Sequence, residues 1–134
     1  MNISTRKILN VYLSLMALHS LSVGLGLILM SRSQLAFFGF AISENFFPDQ
    51  GGVFHIVMSI AYILPVINLS KFRQFIPFSV LVKFIATIFL FSYYVFIEKL
   101  WMVLISGIFD FLMGLVLLFI YLWYLKGTTE TSGI

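Results

Sequence analysis

His19, His55, Lys83 and Asp110 each lie inside a long apolar run of this chain, one to a run. An ionisable side chain within a membrane span is expensive unless it is paired, hydrated or reaching an interface, so each is a default functional-site residue. A buried Asp beside a His suits proton exchange or the binding of a polar ligand head. Tyr62 adds a hydroxyl donor on the same helix as His55. Sharper chemistry finds little support. Ser59, His55 and Asp110 assemble a hydrolytic triad only on paper, because nothing marks a nucleophile elbow or an oxyanion hole. No histidine pair stands at i, i+4 and no Glu-x-x-His motif occurs, so no metal site is expected. The chain has no cysteine, which removes disulfides and thiolate chemistry. No catalytic residue is therefore assigned, and an enzyme is the less favoured reading.

The elements that position these residues follow from composition. Of 134 residues, 61% are hydrophobic and only 10% charged, with a mean hydropathy of +1.09. Soluble chains carry about a quarter charged residues. Four apolar runs, Ile8 to Met30, Gly52 to Ser70, Phe75 to Ile97 and Trp101 to Leu125, each reach the roughly 20 residues that a 30 Å hydrocarbon layer requires. The expected fold is all-α, an antiparallel bundle of four transmembrane helices forming one integral membrane domain over 1–134. The first run follows Arg6 and Lys7 as a signal peptide would. It is too long for a signal core and no A-x-A site follows, so it reads as a retained helix. The net charge of +3 is scattered through short connections and forms no nucleic-acid stripe.

Arg6, Lys7, Lys71, Arg73 and Lys126 fall at one end of the bundle, against Arg32 and Lys99 at the other. The bias predicts both termini in the cytoplasm of a bacterial inner membrane. The connection Ser31 to Gly51 interleaves Phe37, Phe38, Phe40, Phe46 and Phe47 with Ser43, Glu44 and Asn45. That mixture predicts a short interfacial helix, as a surface anchor or as a lid over a cavity. Pro65 is expected to kink the second helix or free a carbonyl, Pro77 sits harmlessly in the first turn of the third, and the polar tail from Gly127 is expected to fray.

Helical spacing predicts which faces turn inward. The stripes are Leu15, His19, Ser22, Gly26; Gly52, His55, Ser59, Tyr62; Ser79, Lys83, Ala86, Leu90, Tyr93; and Gly107, Asp110, Gly114, Tyr121. Each joins an ionisable residue to small or hydroxyl residues, the composition of membrane helix interfaces. At about 1.5 Å per residue, His55 and Asp110 both lie roughly 22 Å above the cytoplasmic ends, His19 about 17 Å and Lys83 about 12 Å. The expected direct pair is His55 with Asp110, beside the alternative of a purely structural lock in which Asp110 pairs with His55 or Lys83 and fixes helix register. Lys83 reaches Asp110 only by stretching, or snorkels to the interface.

The pattern resembles the DoxX-like group of small bacterial four-helix membrane proteins over about residues 8–125, with the local features Gly51-Gly52 and Phe54-His55-x3-Ser59-x2-Tyr62. Asp49-Gln50 stands where that group usually has a basic residue before the glycine pair. Some of its members are subunits of quinone-linked oxidoreductases and others have no assigned activity, so the resemblance implies an analogous membrane role. Three readings follow. The first is an accessory or scaffold subunit of a larger membrane complex, whose partners are membrane lipid and other subunits or further copies of the chain. The second is a quinone-like ligand or redox-linked site built on His55, Asp110, His19 and Tyr62. The third is a proton-coupled small transporter acting as an oligomer, because four helices hold no inverted repeat.

Overall fold

The computed structural model describes residues 3–40 and 43–129, with side chains for 5–40 and 43–128. The chain forms α1 (Ile3–Leu29), α2 (Arg32–Phe37), α3 (Phe46–Ile67), α4 (Leu69–Phe72), α5 (Phe75–Phe96) and α6 (Trp101–Thr129). Among the described residues there is no strand. α1, α3, α5 and α6 are long and apolar enough to cross a membrane, where a helix is favoured because it satisfies its backbone groups internally.

Two helix pairs make up the bundle. α1 packs closely on α3 and α5 on α6, while α1 with α6 and α3 with α5 touch over shorter stretches. Glycine sets both close approaches. A Cβ on Gly24 would lie 2.7 Å from the Gly52 carbonyl oxygen, and one on Gly52 would lie 2.7 Å from that of Gly24. In the second pair, a Cβ on Gly107 would meet the Phe91 ring at 2.8 Å and one on Gly114 the Lys83 Cβ at 3.0 Å. Higher numbers on α1 thus meet lower numbers on α3, and α5 and α6 run in the same reversed order. Tyr12 joins the pairs by donating from its hydroxyl to the Met113 carbonyl at 3.1 Å.

The packed core fills one half of the bundle. Leu9, Leu13, Met16, Met58, Tyr62, Ile76 and Leu117 are buried there together. Beyond that level the two pairs enclose a cavity.

Element ends differ from expectation in several places. α3 begins at Phe46, six residues before Gly52, because Pro48 and Asp49 fit a first helical turn. Within the remaining connection, Ser31 and Gln34 form a capping box that starts α2, and Arg32 Nε donates to Asn45 Oδ1 at 3.0 Å, tying α2 to the start of α3. The second connection is longer than four residues. Asn68 is extended and caps α4 by accepting the Lys71 N–H. Pro65 lies in the last turn of α3, which ends two residues later. The tail expected to fray from Gly127 is helical as far as Thr129, where α6 ends, and residues 130–134 lie outside the described residues.

Candidate functional site

α5 and α6 supply the centre of the site. Gly114 lets α6 approach α5 at the level of Lys83, and Asp110 stands one turn before it on α6. The Lys83 stem spans that turn. Its Nζ donates to Asp110 Oδ1 at 2.5 Å, with the lysine side chain 5% and the aspartate 14% exposed. Thr87 closes the local backbone by donating to the Lys83 carbonyl. The ammonium also lies 5.9 Å from the Tyr62 ring centre, a cation–π contact from α3. The expectation that His55 pairs with Asp110 is therefore corrected. Depth counted along separate helices makes the lysine stem look overstretched, because it carries no trace of the register that Gly114 imposes.

His55 finds its partner on α1. Ser20 Oγ donates to the His55 carbonyl at 2.9 Å and lies 3.3 Å from His55 Nδ1. A serine hydroxyl has a single proton, so once that proton is given to the carbonyl, Oγ can only accept from Nδ1–H. This tautomer leaves Nε2 as the acceptor of the neutral ring. Ser20 is almost fully buried, whereas Ser22 and Leu15 on the expected stripe of α1 are exposed. The inward face of α1 is Leu9, Leu13, Met16, Ala17, Ser20 and Gly24. Anchoring the stripe on His19 misplaced it by one residue, about 100° of rotation. His19 itself is exposed and stands at a rim. The stripes of α3, α5 and α6 are those expected, with Gly52, Ser59, Tyr62, Ser79, Lys83, Gly107 and Gly114 all buried.

His19, His55 and Asp110 line one cavity of about 760 Å³ between the two helix pairs. Its walls are mainly apolar, with Val23, Leu27, Leu90, Phe89, Val103 and Phe109 among them. Tyr93 and Ser106 add hydroxyls, and the connection contributes Leu35, Phe40, Ser43, Glu44 and Phe47. Tyr62 and Lys83 do not line it; Tyr62 is a core residue beneath. Ser106 and Ser20 lie off the expected stripes, while Glu44 belongs to the segment expected as an anchor or lid. Ser20 carried a signal, since it stands one turn from Gly24, with Ala17 on the same face.

Among the described residues no three His, Cys, Asp or Glu side chains converge as a metal site. No family model, curated protein or solved structure matches the chain.

Proposed function

We propose that this protein binds a lipophilic small molecule with a hydrogen-bonding head, of hydroquinone or quinone type, within the membrane. The observation that carries the reading is a largely apolar cavity of about 760 Å³ on which His19, His55 and Asp110 converge. Apolar cavities with a few convergent polar groups are the usual form of small-molecule sites. Beside the hydroxyls of Ser43, Tyr93 and Ser106, the cavity offers acceptors at its centre. Lys83 is committed to Asp110, and the Asp110 carboxylate and His55 Nε2 both suit a ligand O–H. That chemistry favours the reduced, hydroxyl-bearing head over a carbonyl-bearing one. Leu35, Phe40, Phe47 and Pro48 would cover the head from the interface, and the apolar walls would take the tail.

Within this proposal the four helices form an antiparallel bundle, which the reversed order of contacts supports, in a bacterial inner membrane with both termini cytoplasmic. The charge bias supports that orientation. Because the chain has no native cysteine, Lys71→Cys and Lys99→Cys report it directly. In intact cells an impermeant maleimide should label only the Lys99→Cys protein. A DoxX-like relationship and an accessory role in a larger complex are compatible proposals; partner subunits retained through mild detergent extraction would support the latter.

The binding test is a titration of a short-chain hydroquinone into purified protein. Asp110→Asn and His55→Ala are each expected to weaken binding by roughly tenfold, the loss of one charge-assisted or buried hydrogen bond. Unchanged affinity in both variants would sink the reading.

A further inference from the structure

The end of the bundle opposite the cavity carries a second cleft, of about 620 Å³, lined among others by Arg6, Asn68, Ser70, Arg73 and Tyr124. Its two arginines are far apart in the chain, one from the first turns of α1 and the other from the turn between α4 and α5. We propose that this cleft binds a phosphate group, carried either by an anionic phospholipid headgroup or by a small free anion.

Three features support the assignment. No carboxylate is among the described residues that line the cleft, so none of those residues answers the two guanidinium charges. Arg73 is held in place. Its Nε donates to the Tyr121 hydroxyl at 3.2 Å and the guanidinium carbon lies 6.0 Å from that ring's centre, which leaves its two amino groups for a ligand. A planar guanidinium matches two phosphate oxygens at once. Asn68 contributes as well, because its Oδ1 already receives the Ser70 hydroxyl and the Lys71 N–H, leaving its amide N–H groups as donors. The cleft lies where membrane-crossing helices end and beside Tyr124, the depth at which phospholipid headgroups lie and basic clusters meet anionic lipid. It shares no residue with the cavity of His55 and Asp110, so the inference stands independently of the proposed function.

The test uses the full chain in detergent micelles, titrated separately with phosphatidylglycerol, phosphatidylcholine and inorganic phosphate. Native mass spectrometry reads retained lipid and thermal unfolding reads inorganic phosphate. Phosphatidylglycerol should be retained roughly tenfold more tightly than phosphatidylcholine, and the Arg6→Gln/Arg73→Gln double variant should lose that preference. Lys99→Gln, at the other end of the bundle, should keep it. If the double variant does not fold, Arg6→Gln alone carries the test, since Arg6 is exposed; a loss of at least about threefold is expected. Stabilisation by inorganic phosphate that disappears with the arginines would identify a free anion as the source; lipid selectivity without it would identify the headgroup. The proposal is overturned if the wild type shows neither lipid preference nor phosphate stabilisation. It is equally overturned if either response survives in the arginine variants.

Discussion

At the residue scale, the Lys83–Asp110 pair governs the site. Two opposite charges in an apolar surround offset each other's desolvation, but neither tolerates loss of its partner. Lys83→Met should leave a buried carboxylate unpaired and destabilise the protein by about 3 kcal/mol. Adding Asp110→Leu to that variant should restore much of the loss, because the orphaned charge goes with it. Unfolding of the wild type and these two variants in mixed micelles checks this; a double variant as unstable as Lys83→Met alone would show that the pair is not a self-contained unit. Types and positions of both residues were legible in the sequence, but their pairing was not. Whether a lysine stem bridges one turn depends on how far Gly114 lets α6 slide toward α5, and periodicity within one helix carries no record of that offset.

At the element scale, glycines at matched heights join α1 to α3. A Cβ at Gly52 would lie 2.5 Å from Ile28 Cγ1, and one at Gly24 would press on the Gly52 carbonyl. Gly24→Val should force the helices apart and cost about 1–3 kcal/mol. Gly26→Ala should be tolerated, since its Cβ would meet only the end of the flexible Met30 side chain at 3.4 Å. Thermal unfolding of the two variants distinguishes them; equal stability would mean that close backbone approach is not what holds the pair. Helix existence was legible along the whole chain, since apolar runs of this length have few alternatives in a membrane. The inward face of α1 was not. Leucines surround that helix on every side, so a stripe drawn through His19 looked as good as the one through Ser20 and Gly24.

At the scale of the whole molecule, a dense half carries an open half. Leu9, Leu13, Tyr62, Ile76 and Leu117 close the core, and above them the helix pairs part around the cavity. The absence of native cysteine makes single-cysteine labelling clean. Ser106→Cys, on the cavity wall, should react with a lipophilic maleimide and be slowed several-fold by a bound hydroquinone. Ile88→Cys, which is 67% exposed on the outer surface, should react at a rate the hydroquinone does not change. Equal protection at both positions would point to general partitioning into the micelle rather than occupancy of the cavity.

The chain by itself determined that four apolar helices form, which ionisable residues they carry and where the basic residues gather. Those are properties of composition and local order, set by the cost of unsatisfied backbone and charge in lipid. Only the tertiary structure decided that Asp110 takes Lys83, that His55 takes Ser20, and that His19 stands at a rim. It alone brought Arg6 and Arg73 into one cleft. Each of these depends on the rotation and axial offset of one helix against another, which are fixed by side-chain packing between segments far apart in the chain.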